Sequence, residues 1–149
     1  FFGNDFALAP DVQDIADRLI SECHELRDAA YWRIRYLWKA KGGASKGHMT
    51  LGKCVKTSGA LSFFSDVDYI VWLGADNVRD SMFTYRQVEA LIFHELCHIE
   101  TKESDEGDDD QPAIKGHDAE VFLAEIQRYG MWRTSLQRFG QLDMFGGGQ

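Results

Sequence analysis

Apolar residues recur at helical spacing from Val12 through Ile15, Ala16, Leu19, Ile20 and Cys23 to Leu26, while Asp14, Asp17, Arg18, Glu22 and Glu25 fall on the opposite side. The pattern predicts an amphipathic packing helix, and Pro10 suits its first turn, where a missing N–H costs nothing. At Trp32 the period changes to two. Trp32, Ile34, Tyr36 and Trp38 share one face and Arg33, Arg35 and Lys39 the other, which predicts a half-buried strand. Residues 41–47 are a Gly-rich turn, and His48 to Lys56 reads as a weaker strand interrupted by Gly52, so the two strands are expected to form a hairpin. Thr57 to Asp66 reads as a loop. Val67 to Leu73 is a nearly continuous apolar run rich in β-formers, which predicts a third strand covered on both faces. An exposed edge of that strand could bind an extended peptide by strand addition.

Thr84 and Gln87 stand at capping-box spacing, so a central helix is expected to start near Tyr85, with Val88, Leu91, Ile92 and Leu96 as core contacts. Glu103 to Asp110 is an acidic run without an apolar period and reads as a solvated loop. Beside a cleft it would favour basic substrates. Gly116-His117-Asp118 opens a last helical pattern in which Val121, Phe122, Ile126 and Tyr129 recur and Gly130 is a stop. A shorter helical segment is expected from Trp132 to Phe139, with residues 1–9 and 146–149 flexible. Together these elements predict one α+β domain over residues 1–149: a small, mainly antiparallel sheet packed by the N-terminal helix, the central helix and the C-terminal helix.

A chain of 149 residues suits one domain, and 44% hydrophobic with 13% aromatic residues is too apolar for disorder. No apolar run reaches the length of a membrane helix. A net charge of −8 argues against a broad nucleic-acid footprint, which relies on clustered Lys and Arg. Cys23, Cys54 and Cys97 are odd in number and form no Cys-x-x-Cys pair, so neither a disulfide framework nor a zinc ribbon is indicated, and a reducing cytoplasm is the simpler setting. No basic segment followed by an apolar run resembles a leader peptide.

The central helix carries the chemistry. His94-Glu95-Leu96-Cys97-His98 places two imidazoles four residues apart on one face, where they can bind one metal ion while Glu95 acts as general base toward a zinc-activated water. Chance supplies only about 0.01 such matches in a chain of this composition. His24 begins a similar string, but Asp28 stands where the second histidine should be, so His24 reads as a surface residue. His48, alone in a Gly-rich stretch, reads as solvent-exposed, and Cys97 as a small buried apolar residue. A catalytic zinc site takes three protein ligands and one open position. His117 is far enough beyond His98 for the chain to turn back, and neutral imidazole suits zinc; Glu120 is the rival. Asp118 reads as a helix cap or as the acceptor behind a ligand histidine. Tyr129 is a candidate oxyanion stabiliser by position alone, with a core aromatic the plainer reading.

Asp68-Tyr69-Ile70-Val71-Trp72-Leu73, His94 to His98, Gly116-His117-Asp118-Ala119-Glu120-Val121-Phe122 and Arg128-Tyr129-Gly130-Met131-Trp132 together resemble the phage metallopeptidases, which look like a small branch of the SprT-like zincins. The resemblance covers roughly residues 11–135. It implies a compact zincin-like fold, one Zn2+ ion held by His94, His98 and His117, Glu95 as base, a protein or peptide substrate, no membrane association and, for a phage-encoded chain, the host cytoplasm. It leaves open a catalytically silent zinc-stabilised protein that binds a host factor, and a protease acting on DNA-bound proteins, which the negative charge disfavours.

Overall fold

The computed structural model describes residues 5–103, 109–117 and 122–133. It is an α+β arrangement of a mixed four-stranded sheet, two two-stranded ribbons and, among the described residues, six α-helices. The chain opens with a short strand β1 (Phe6–Leu8), runs through α1 (Pro10–Glu22) and a short α2 (Arg27–Tyr31), and enters β2 (Ile34–Lys39). Pro10 sits at the start of α1 as expected, and Val12, Ala16 and Leu19 form its buried stripe. β1 was not foreseen. Phe6 and Leu8 are exposed, so it carries no inward periodicity, and it is a strand only because it pairs antiparallel with β2.

The expected hairpin does not form. The Gly-rich turn closes its own small ribbon, β3 (Ala44–Ser45) with β4 (His48–Met49), and β5 (Gly52–Lys56) follows. The expected loop after it contains a helix, α3 (Gly59–Ser65), capped by the Ser58 hydroxyl and ended by Asp66 in the left-handed region at φ 55°. No residue of α3 is buried, so it has no apolar stripe by which to be read. The apolar run then forms β6 (Tyr69–Gly74), which lies between β2 and β5 and gives the order β1-β2-β6-β5. β6 is parallel to β2 and antiparallel to β5, so the sheet is mixed, with two of its three pairings antiparallel. The physical reason is burial. Tyr69, Val71 and Leu73 are fully buried on one face and Trp72 is 9% exposed on the other, and a strand covered on both faces belongs inside a sheet, with both edges paired. Strand addition to β6 is therefore impossible, and the edge on that side of the sheet belongs to β5.

After α4 (Ala75–Asp80), the long helix α5 (Tyr85–Leu96) starts where the capping box places it: the Gln87 N–H donates to the Thr84 hydroxyl at 3.2 Å and the Thr84 N–H to Gln87 Oε1 at 2.8 Å. α1 packs against α5 and β2, and Leu91, Ile92, Phe93 and Leu96 complete a core with Tyr36, Tyr69, Val71 and Leu73. The ribbon of β7 (Ile99–Lys102) and β8 (Gln111–Ile114) and the helix α6 (Leu123–Tyr129) follow. A buried polar link joins three helices: Glu89 of α5 accepts from the Arg18 guanidinium of α1 and, at 2.7 Å, from the Tyr129 hydroxyl of α6. Tyr129 also packs edge-on against Phe93 and is partly buried against the core, with its hydroxyl engaged by Glu89. None of the described helices is long and apolar enough to cross a membrane.

Candidate metal centre

The C-terminal half of α5 is buried all round, including His94 and Glu95 at 4% exposure each. The helix ends inside the motif. Leu96 is its last residue, and the His98 N–H bonds back to the Glu95 carbonyl at 3.2 Å, a tightened turn that still leaves the His94 and His98 rings 5.2 Å apart. The chain then turns directly into β7, and the β7–β8 ribbon carries the acidic run as its connection. Residues 104–108 of that run lie outside the described residues.

This ribbon brings the chain back. Its ladder continues past Ile99 and Ile114 to His98 and Lys115, where the Lys115 N–H donates to the His98 carbonyl at 2.7 Å. The Tyr69 hydroxyl anchors the ribbon to the sheet, accepting from the Ala113 N–H at 2.8 Å and donating to the Ala113 carbonyl at 2.7 Å. Two residues beyond Lys115, His117 reaches the helix: its Nε2 is 2.9 Å from His94 Nε2, and its ring lies 4.5 Å from that of His98. His94, His98 and His117 thus offer ligand atoms that all lie within 4.8 Å of one another. The expectation that His117 opens the last helix is corrected, since His117 lies in the coil after β8 and the described part of that helix starts at Leu123. Asp118 and Glu120 lie outside the described residues. His24 and His48 are exposed and stand apart from the cluster, and Cys97 does not join it.

Both motif histidines are fixed from behind. His98 Nδ1–H donates to the Lys115 carbonyl at 2.7 Å, and His94 Nδ1–H donates to Glu125. Each therefore turns an unprotonated Nε2 toward the cluster, where it can bind a ligand. Glu125, on α6, is fully buried and was missed in the sequence. It also accepts from the Phe122 N–H at 2.8 Å and the Trp132 indole at 2.8 Å. Burial pushes this carboxyl up, but His94 above all, with the Phe122 and Trp132 donors, outweighs it and holds Glu125 below its ordinary value. The only signal available was its position three residues after Phe122, at the start of a helix.

A cavity of about 380 Å³ opens over the cluster, lined by the three histidines, Glu95, residues 49–54, Ile114 and Arg133. Glu95 Oε1 lies 3.9 Å from His98 Nε2. Gly52 on β5 leaves it room: a Cβ there would stand 3.4 Å from Glu95 Oε2 and 3.0 Å from the Trp72 carbonyl oxygen. Burial pushes the Glu95 carboxyl up to about 7. A dication between the imidazoles would draw it down again.

The residues fit a metal ion. Burial lowers the His98 imidazole and, with the neighbouring histidines, takes His117 down to about 4, so both are neutral at physiological pH, the form that binds metal. Imidazoles that share one tetrahedral zinc place their nitrogens about 3.3 Å apart, a value bracketed here by the 2.9 Å between His94 and His117 and the 4.8 Å limit of the cluster.

No curated protein and no solved structure matches the chain. The sequence profile of one family does, over residues 4–140, a span that includes all three histidines and Glu95. With that match over most of its length, the chain belongs to the family described as putative phage metallopeptidase, a kinship that implies a metal and protein or peptide substrates.

Proposed function

We propose that the protein is a zinc-dependent peptidase of the zincin type, in which His94, His98 and His117 hold one zinc ion and Glu95 is the general base. The observation that carries this reading is the convergence of three imidazoles beside a buried carboxylate on the wall of an open cavity. A purely structural site has no use for that carboxylate, which disfavours a silent host-factor-binding protein.

When bound, zinc supplies Lewis acidity toward the scissile carbonyl and toward water. The chain does the rest. Glu95 takes the proton of the attacking water as its oxygen joins the carbonyl carbon, then delivers that proton to the amine nitrogen as the C–N bond breaks. Glu125 and the Lys115 carbonyl hold the His94 and His98 rings in the required tautomer. The cavity wall formed by β5 is a sheet edge, so an extended substrate can add to it through main-chain hydrogen bonds and lie across Glu95.

The test combines metal analysis with a peptidase assay on two variants. Glu95→Gln is expected to keep zinc and lose about 100-fold or more in turnover, whereas His117→Ala loses zinc. Unchanged cleavage by Glu95→Gln removes the catalytic assignment, and unchanged zinc affinity in His117→Ala moves the third ligand elsewhere.

A further inference from the structure

Arg133 lines the same cavity as Glu95 and the three histidines, and its position is built rather than incidental. The residue before it, Trp132, is buried and tied at two points: its carbonyl accepts from Gln87 of α5 at 2.7 Å, and its indole donates to Glu125. The Arg133 guanidinium lies over the Trp132 ring, 5.3 Å from the ring centroid, within cation–π range. Yet the buried Arg133 Nε has no hydrogen-bond partner, and no carboxylate pairs with this guanidinium among the described residues. Acceptors are plentiful in a chain with 24 acidic against 16 basic residues, and Arg18 and Arg33 both find them. A buried donor left without an acceptor is rare in a folded protein and calls for an explanation, and the cavity that Arg133 lines offers one in a bound acceptor.

We propose that Arg133 is the anion-binding residue of the cleft and takes an oxyanion of the bound peptide. Guanidinium presents parallel N–H donors that match two oxygens or one concentrated negative charge. Two sources share that chemistry: the scissile carbonyl oxygen as it gains charge, and a carboxylate carried by the substrate. The proposal rests on the peptidase reading, and it extends that reading to an oxyanion stabiliser or to a preference for acidic or C-terminal residues.

The test uses the full chain loaded with zinc, as wild type, Arg133→Gln and Arg133→Lys, with zinc content and circular dichroism checked for each. Kinetics are measured on one peptide as the free acid and as its C-terminal amide. Affinity is measured separately for a phosphinic peptide that keeps the free C-terminal carboxylate, so that it carries both candidate anions and needs no turnover to bind. If the carbonyl is the source, Arg133→Gln lowers kcat about 100-fold on acid and amide alike with KM unchanged, and Arg133→Lys recovers part of it. If a substrate carboxylate is the source, Arg133→Gln raises KM for the acid alone, to the level of the amide. Both sources predict at least 10-fold weaker phosphinate binding in Arg133→Gln. Equal phosphinate affinity in folded, zinc-loaded wild type and Arg133→Gln overturns the proposal. A wild type that cleaves no peptide overturns the peptidase reading instead, and the phosphinate comparison still decides Arg133.

Discussion

His98 and Lys115 are joined twice: the His98 ring donates to the Lys115 carbonyl at 2.7 Å, and the Lys115 N–H donates to the His98 carbonyl at 2.7 Å. One backbone ladder therefore orients a motif histidine and sets the start of the coil that carries His117. The β7–β8 ribbon is the part of the fold that converts a two-histidine helix into a three-histidine cluster.

The Tyr69 hydroxyl secures that ribbon, so Tyr69→Phe should loosen it. The change leaves the Ala113 N–H and carbonyl without the partner they have at 2.8 and 2.7 Å, inside a buried contact. Unfolding in urea should show a loss of about 1–3 kcal/mol. Zinc affinity, read by competition with a chromophoric chelator, should fall as well. A stability loss with zinc affinity unchanged means the ribbon does not position His117.

On the proposed reading Glu125 acts on the metal through His94, and Glu125→Gln tests that separately from the ligands. The amide is nearly isosteric with the carboxylate, but it lacks the charge that strengthens the bond from His94 and must place an N–H₂ group among donors from Phe122 and Trp132. Zinc should bind about 10–100-fold more weakly. Chelator competition measures this directly, and an affinity equal to wild type shows that His94 needs no such partner.

Local spacing was enough to read α1, the start of α5 at Thr84 and Gln87, and the pairing of His94 with His98, because each depends on residues within a few turns of one another. Strand neighbours were not readable in this way. Alternation along Trp32 to Trp38 says which face is buried and nothing about which strand lies alongside, so the expected hairpin of β2 with β5 gives way to an order in which β6 separates them. β7 and β8 are four residues each, mixed in polarity and interrupted by Pro112, and are strands because they pair with each other. Glu125 was hidden for a related reason: an acidic residue in the first turn of a helix is ordinary, and only the packing of α6 on α5 brings it to His94.

Gly52 is required by its neighbours. A Cβ at this position meets Leu73 Cδ2 at 2.9 Å, the Trp72 carbonyl oxygen at 3.0 Å and Glu95 Oε2 at 3.4 Å, and the backbone oxygen belongs to the central strand. Gly52→Ala should destabilise by about 1–3 kcal/mol, the usual range for an overpacked site. Movement of β5 away from the Trp72 carbonyl should also alter its contact with Glu95, lowering kcat while zinc stays bound, since the histidines come from other elements. Thermal unfolding and steady-state kinetics on the zinc-loaded variant check the two halves. A variant with wild-type kcat shows that Glu95 tolerates the shift.

Asp68 gives the fold an acid-sensitive brace at the opposite end of β5 from Gly52. Its carboxylate accepts from the Arg33 backbone N–H at 2.9 Å, from the Arg33 guanidinium at 3.1 Å and from the Ser62 hydroxyl at 2.9 Å, tying the start of β2 to α3. Burial pushes the Asp68 carboxyl up, but these donors prevail and hold it below its ordinary value of 3.8. A carboxyl depressed in the folded state releases its proton more readily there than in the unfolded chain, so its contribution is complete above 3.8 and disappears as the pH falls through the depressed folded value. Asp68→Asn should lower the melting temperature at pH 7 and change it less at pH 3, which lies below the ordinary value of 3.8, where the contribution of the depressed carboxyl has begun to fall. Melting curves for both proteins at pH 7, 5 and 3, with chelator present throughout to remove the metal's own pH dependence, measure the difference. A gap between wild type and variant that is as large at pH 3 as at pH 7 would assign the loss to packing rather than to the charge.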